Sequence, residues 1–161
     1  MVRIGCVVVV VAGLVGCVVK GETSGFNPTS TEGYIESSTG GRCPLEQDSG
    51  GFCLDGASTF SAGSGVVDCP NDMSATAWIG PGIPNEGDTF DLQPSSTSAG
   101  PGVGAVWFDE AGETWTTSSG TAVAHRSGEY VAIEFHGETV DFLTNTTPGP
   151  SIDGVVWCLL P

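Results

Sequence analysis

Short apolar runs alternate with glycine- and proline-rich segments along the last two thirds of the chain. The runs are rich in valine, threonine, tryptophan and phenylalanine, and segments such as 80–84 (Gly-Pro-Gly-Ile-Pro) interrupt them every few residues. This spacing is typical of antiparallel strands joined by tight turns, and it predicts an all-β domain, a small antiparallel sandwich or barrel. Runs 103–109 and 153–160 are apolar on both faces, so we expect them to be central strands. The candidate strands are 58–68, 74–79, 88–93, 103–109, 113–118, 121–126, 129–135, 138–143 and 153–160.

Alternation within residues 121–143 predicts a three-stranded meander. Its hairpin turns are expected at Ser127-Gly128 and at His136-Gly137, because glycine tolerates the positive φ of two-residue turns. Glu134 then lies on the face opposite to the apolar side chains. The predicted register pairs Ile133 with Val140 and Val131 with Phe142, and it places Ala122 and Ala124 on the same face.

The chain opens with one positive charge and a long uncharged stretch. Arg3 is followed by sixteen uncharged residues, from Ile4 to Val19, and many of these are valine. A short positive start before an apolar stretch is typical of a secretory signal, and the stretch is shorter than the roughly 20 residues of a membrane-spanning helix. Residues 1–16 are therefore predicted to be a signal peptide.

The apolar stretch contains the sequence Leu14-Val15-Gly16-Cys17. It resembles the lipobox of bacterial lipoproteins, in which a leucine stands three residues before the cysteine and a small residue directly before it. The resemblance implies transfer of diacylglycerol to the Cys17 thiol, cleavage between Gly16 and Cys17, and a fatty acid on the new amino terminus. Two or three acyl chains would hold the protein at a membrane, since each buried methylene contributes about 0.8 kcal/mol.

Residues 17–42 are predicted to form a disordered tether. Glycine, serine, threonine and glutamate dominate this segment, and its few apolar residues show no period. Such a segment cannot bury enough apolar surface to fold. The predicted organisation is therefore a signal peptide at 1–16, a lipidated tether at 17–42 and a β domain at 43–161.

The predicted mature chain is strongly acidic. Without Arg3 it keeps three basic residues against nineteen acidic ones, a formal net charge of −16. Such a charge argues against binding nucleic acid or anionic lipid head groups, because their phosphates would be repelled. It is compatible with a soluble acidic surface, with divalent cations or with a basic partner.

Four cysteines remain beyond the predicted lipidation site, at Cys43, Cys53, Cys69 and Cys158. An even number in an exported chain predicts two disulfides. We favour Cys43–Cys53 with Cys69–Cys158, while the other two connectivities stay open. No pair has the two-to-four-residue spacing of zinc ligands, so a zinc site is not expected.

Catalytic motifs are not found in the sequence. There is no Gly-x-Ser-x-Gly elbow, and His125 and His136 lack the spacing of a helical zinc motif. Residues 100–105 match a dinucleotide-binding pattern by letters, but a strand follows where a helix is required. The neighbouring carboxylates Asp109 and Glu110 are expected at an exposed hairpin tip. We therefore predict no catalytic residue and no enzyme.

Two ligand types are considered for the β domain. Asn85, Glu86, Asp88 and Asp91 place four oxygen-bearing side chains near one loop, and hard cations such as calcium prefer such ligands. Trp115 lies in a polar setting within a predicted strand, so it is expected to be exposed. Together with Tyr130 it is a candidate contact for a sugar, because some sugar-binding β-sandwiches expose aromatic faces.

Taken together, these segments predict an extracytoplasmic protein held by a lipid anchor. A signal, an acidic tether and a small cysteine-bearing β domain resemble, in style only, surface lipoproteins of Gram-negative bacteria, which implies the outer membrane. The domain is expected to be a non-enzymatic binding or structural module whose protein or glycan partner is open. The alternatives are a glycan- or calcium-binding module and a small hydrolase, and no cofactor is required.

Overall fold

The computed structural model describes residues 7–11, 14–18, 33–45, 52–55, 60–63, 70–94 and 100–160. These residues contain twelve strands and one short 3-10 helix at Pro70–Asp72. The strands are β1 (Val7–Val11), β2 (Leu14–Val18), β3 (Gly33–Ser37), β4 (Gly41–Leu45), β5 (Phe52–Asp55), β6 (Phe60–Gly63), β7 (Ser74–Ile79), β8 (Thr89–Leu92), β9 (Val103–Glu110), β10 (Glu113–Ser127), β11 (Tyr130–Asp141) and β12 (Pro148–Leu159). The prediction of an all-β domain is confirmed.

Ten of these strands form one sheet, in the order β4-β3-β12-β11-β10-β8-β9-β7-β6-β5, and β10 also pairs with β9. All neighbours are antiparallel except β8 and β9, which run parallel. The sheet is not closed: β4 and β5 are its two edges, and both are short. β4 has five residues, among them the exposed Pro44, and β5 has four. As predicted, β9 and β12 lie inside the sheet.

The sheet curls around a single core, so that β5 and β6 contact β12. Residues of β3 and of β7 to β12 largely alternate between the inner and outer faces, and Phe108, Ile133 and Val156 are completely buried on the inner face. The remaining core residues come from almost every described strand between β3 and β12: Ile35, Cys43, Met73, Ala75, Ala77, Ile79, Phe90, Leu92, Val106, Ala122, Ala124, Val131, Phe135, Ile152 and Cys158.

The sheet begins earlier in the chain than predicted. Residues 33–42, assigned from composition to the tether, belong to β3, β4 and the turn between them. β3 pairs with β12 and buries Ile35 completely, which compensates the cost of ordering a segment that is otherwise polar. The boundary at residue 43 is therefore wrong by ten residues, and the sheet starts at Gly33.

The amino-terminal strands β1 and β2 form a separate two-stranded hairpin. The predicted cleavage point, between Gly16 and Cys17, lies within β2. Residues 19–32, the greater part of the predicted tether, lie outside the described residues. No helix in the part of the chain that the structure describes is long and apolar enough to cross a membrane.

The predicted meander is instead one long hairpin. β10 and β11 run unbroken, and only Gly128-Glu129 turns the chain between them. The predicted turn at His136-Gly137 is wrong, because both residues lie inside β11. Ile133 therefore pairs with Val156, and the predicted pairs Ile133–Val140 and Val131–Phe142 do not form. The first turn lies one residue later than the predicted Ser127-Gly128, so Ile133 pairs with Ala124 on its other side. Val140 and Phe142 fall on the outer face.

Glycine has a different role at the centre of this hairpin. Gly120 lies directly opposite Gly137, just after the β-bulge between Thr117 and Ser119. A Cβ on Gly120 would overlap the backbone carbonyl of His136 and the Cα of Gly137, and Gly120 has a φ of 142°. The two glycines therefore mark a place where two continuous strands approach closely. Glycine permits such an approach because it has no Cβ, just as its free backbone permits a turn.

The disulfide pattern differs from the favoured one. Cys53 of β5 is bonded to Cys158 of β12, with the Cα atoms 5.3 Å apart. This bond excludes both Cys43–Cys53 and Cys69–Cys158. The physical reason is the curl of the sheet, which lays β5 against β12, whereas Cys43 and Cys53 lie on opposite edge strands. Cys43 is disulfide-bonded as well, and Cys69 lies outside the described residues.

Candidate functional site

A cleft opens at the end of the curled sheet where β3 ends, β9 turns into β10 and β12 begins. Its volume is about 510 Å³, which is within the usual range for small-ligand sites. The mouth of a rolled sheet is a common place for such a site, because neighbouring loops and strand ends converge there. The lining residues are Ser38, Thr39, Asn71, Glu110, Ala111, Glu113, Trp115, Pro148, Gly149 and Pro150.

Glu110 is the buried carboxylate of this cleft. It is the last residue of β9, and the alternation of the strand puts it on the inner face with Val106 and Phe108, so that only 7% of it is exposed. One carboxylate oxygen, Oε2, accepts hydrogen bonds from Ser37 Oγ (2.9 Å) and Thr39 Oγ1 (2.7 Å). These bonds join the β9–β10 hairpin to the β3–β4 turn and fix the position of the carboxylate.

The other oxygen of Glu110 is also engaged. Asn71 Nδ2, from the 3-10 helix, donates to Oε1 at 3.3 Å. Residue 40 must be small for this arrangement, since a Cβ on Gly40 would overlap Oε1. The backbone N–H of Gly40 in turn donates to Ser37 Oγ at 2.8 Å. Two separate segments of the chain, the β3–β4 turn and the 3-10 helix, therefore hold one carboxylate in place.

Trp115 forms an apolar wall of the cleft. The indole is half-buried and packs against the core, opposite Phe108 of β9. The prediction that Trp115 is exposed therefore holds only in part. A Cβ on Gly149 would lie 2.5 Å from the indole ring, so this glycine lets β12 pass directly beside it. Thr139 Oγ1 donates to the Pro150 carbonyl at 2.6 Å, which fixes the same stretch of β12.

The cleft therefore combines an apolar surface with a carboxylate that can accept a hydrogen bond. The indole of Trp115 offers a flat apolar surface, with Pro148 and Pro150 also lining the cleft. A carboxylate has about four acceptor positions. Because three positions of Glu110 are occupied by Ser37, Thr39 and Asn71, roughly one stays available for a donor on a ligand.

The burial of Glu110 contradicts the expected exposed hairpin tip. The turn consists of Ala111 and Gly112 alone, both with positive φ, and Glu110 and Glu113 still pair across the hairpin. Asp109 does point outward, and it accepts hydrogen bonds from the hydroxyl groups of two neighbouring residues. The signal that could have identified Glu110 is the two-residue period that it shares with Val106 and Phe108.

Tyr130, the second candidate sugar contact, lies far from the cleft. It begins β11, whereas Trp115 pairs with Asp141 at the end of that strand. Eleven residues of extended strand separate the two positions, which is about 35 Å. Tyr130 instead contacts Trp157 of β12, with the ring centroids 6.1 Å apart.

The four candidate calcium ligands do not converge. Asp88 Oδ2 accepts from the backbone N–H of Asn85 at 2.8 Å, and Glu86 turns to His125 and the backbone of Arg126. Asp91 pairs in β8 with residues of β9 and β10. Within the described ranges, no group of three or more His, Cys, Asp and Glu side chains is placed to hold a metal ion.

Neither histidine lines the cleft. His125 is 5% exposed and lies between Glu134, 3.0 Å from Nε2, and Glu86, 3.5 Å from Nδ1. His136, expected in a turn, lies on the outer face of β11 and pairs with Asp153 across the ladder. Both histidines therefore contact carboxylates on the outer face.

No protein-family model, no curated protein and no solved structure matches the chain. What the protein does is therefore inferred from its own residues, namely the cleft around Glu110 and Trp115 and the motif that ends at Cys17.

Proposed function

We propose that this chain is a lipoprotein of the cell envelope, anchored through Cys17 in the outer membrane of a Gram-negative bacterium. Its β domain is a non-enzymatic binding module, and the ligand is a saccharide held in the cleft. The observation that carries the binding function is that Trp115 and the buried Glu110 line the same cleft. The sequence Leu14-Val15-Gly16-Cys17 supports the anchor.

A saccharide matches both surfaces of the cleft. A sugar ring has an apolar C–H face, which packs against an indole, and hydroxyl groups around its rim that donate to a carboxylate. A charged acceptor makes a stronger hydrogen bond than a neutral one, so Glu110 would fix the orientation of the ring. An exported protein also meets polysaccharides on the cell surface and outside the cell.

Recognition is a better role for Glu110 than catalysis. A general acid must transfer a proton, and a nucleophile must reach the sugar carbon. Glu110 is already held by three donors, which restrict the movement of its carboxylate. Such a group is suited to holding a hydroxyl group at a defined place.

Replacing Trp115 by alanine is expected to weaken saccharide binding about tenfold or more, because stacking of about 1.4 kcal/mol or more would be lost. The ligand is first chosen from an array of cell-wall and surface polysaccharides, and its Kd is measured by titration calorimetry. Glu110→Gln, which keeps the shape of the side chain, is expected to weaken binding of the same ligand.

The control is Leu159→Ala, which changes an exposed apolar residue at the other end of the sheet and should leave Kd unchanged. Circular dichroism checks that each variant is folded. Unchanged affinity in both cleft variants would show that the ligand binds elsewhere. Cleavage of the saccharide during the titration would assign the cleft to a hydrolase instead.

Replacing Cys17 by alanine is expected to release the protein from the membrane. Without the thiol no diacylglycerol can be attached, and the acyl chains are what hold such a protein. Fractionation of cells grown with labelled palmitate measures both attachment and acylation. Cys6→Ala is the matched control, since it removes the other cysteine of the leader and should stay labelled and membrane-bound. Membrane attachment of the Cys17→Ala protein at the wild-type level would rule out this anchor.

A further inference from the structure

An aromatic patch lies on the outer face of the sheet, at the end opposite to the cleft. Tyr130 of β11 lies directly opposite Leu159 of β12, and Trp157 is on the same face two residues before Leu159. The Tyr130 and Trp157 rings are 6.1 Å apart between centroids. Leu159 is 47% exposed, which is unusual in a domain whose other large aliphatic side chains are mostly buried. We call Tyr130, Trp157 and Leu159 the end patch.

The chain enters the domain beside this patch. Gly33, the first residue of β3, lies so close to Trp157 that a Cβ there would be 2.8 Å from the indole Cδ1. Fifteen residues, 18–32, separate Gly33 from the predicted lipidated Cys17. The coil that their composition predicts would span roughly 20 to 23 Å between its ends. The end patch is therefore close to the point from which the anchor leads to the membrane.

We propose that the end patch docks into the boundary between the head groups and the acyl chains of zwitterionic lipid. The domain then stands on the membrane, with the saccharide cleft about 35 Å away and facing outward. This inference rests on the proposed anchor at Cys17. Tryptophan and tyrosine favour this boundary because their rings combine an apolar body with a polar group, and Leu159 would insert beside them.

Weak docking is sufficient when the domain is already tethered. A short tether holds the patch at an effective concentration on the order of millimolar, so even a low intrinsic affinity leaves it mostly docked. The net charge of the predicted mature chain, −16, opposes anionic head groups. Docking should therefore depend on apolar contact, remain at high salt, and weaken when anionic lipid is added.

Two exposed leucines at opposite ends of the sheet provide a matched test. Leu159 belongs to the end patch, whereas Leu143 follows β11 at the cleft end and is 86% exposed. The full lipidated protein is inserted in phosphatidylcholine vesicles whose acyl chains carry bromine near the head group, which quenches nearby tryptophan. We expect quenching in the wild type, loss of most of it in Leu159→Glu, and no change in Leu143→Glu.

Single-tryptophan proteins assign the quenching to a residue. Retaining only Trp157, with the other three tryptophans changed to phenylalanine, should keep the quenching, and retaining only Trp115 should abolish it. Equal quenching of the wild type and Leu159→Glu would overturn the docking, as would quenching of Trp115. Concentration-dependent shielding of Trp157 without vesicles would assign the patch to a second copy of the chain instead.

Flotation of the same vesicles separates this inference from the anchor itself. Protein that floats with the vesicles but shows no quenching would overturn the docking and leave the anchor intact. Protein that does not float would overturn the anchor, and the docking with it. Saccharide binding in the cleft is measured independently of both.

Discussion

Changing both Cys53 and Cys158 to alanine is expected to lower the free energy of unfolding by about 4 to 5 kcal/mol. The two cysteines are 105 residues apart in sequence, and on the chain-entropy account a cross-link over about 100 residues removes this much freedom from the unfolded chain. Urea denaturation of the mature domain without its lipid measures the change. Cys158 is completely buried, so the loss of its sulfur adds a small packing cost.

Peptide mapping without reductant provides the independent check. A peptide pair that joins Cys53 to Cys158 is expected, together with one that joins Cys43 to Cys69, the only partner left among the four domain cysteines. Peptides that join Cys43 to Cys53 would contradict the position of β5 against β12. A double variant as stable as the wild type would contradict it equally.

Replacing Gly120 by alanine is expected to cost about 2 to 6 kcal/mol. Its φ of 142° is almost confined to glycine, which accounts for about 1 to 3 kcal/mol, and overpacking adds about as much again. The overlap cannot easily relax, because the new Cβ meets the backbone of His136 and Gly137 and not the end of a flexible side chain. Denaturant melts of the purified domain measure the cost.

Gly128→Ala is the matched control for this change. Gly128 also has a positive φ, 62°, but it lies in the turn and a Cβ there would meet nothing within 4 Å. Only the conformational cost of about 1 kcal/mol is expected. Equal costs at the two positions would mean that the strands separate at residue 120, as the predicted meander with its extra turn requires.

The strands that the sequence predicted correctly are those defined by local pattern. The candidate strand 74–79 coincides with β7, and the strands predicted to be central, 103–109 and 153–160, lie inside the sheet as β9 and β12. Alternation and β-branched residues are properties of a few consecutive positions, so they can be read without knowledge of the fold. The all-β class follows from the same information.

Glycine is the most ambiguous residue in this sequence, because the conformation it marks depends on the neighbouring strand. In sequence, Gly120 and Gly137 interrupt their strands as a turn would, and only their pairing across the hairpin shows that they permit a close approach. β3 is likewise not apparent from the sequence, because its structure depends on the neighbouring strand. Its polar sequence gives little local signal, and only pairing with β12 makes Ile35 a core residue.

The cleft could be predicted only in part. The polar surroundings of Trp115 mark it as a candidate in the sequence, and the alternation of β9 places Glu110 on the inner face. The groups that hold Glu110 could not be foreseen, because Ser37 and Thr39 are more than seventy residues away in the chain and Asn71 is 39 away. Contacts of that separation depend on the curl of the whole sheet.

Under the proposed lipid anchor, the short edges of the sheet would have a further consequence. Molecules anchored by lipid diffuse within the plane of the membrane, so their domains meet far more often than in free solution. The unpaired edge strands of an open sheet can then pair with those of another copy and start polymerisation. β4 offers only five residues and includes Pro44, which lacks an N–H to donate, and β5 offers four. With two short edge strands, a domain anchored as proposed would remain a separate, diffusing molecule even when densely packed on a membrane.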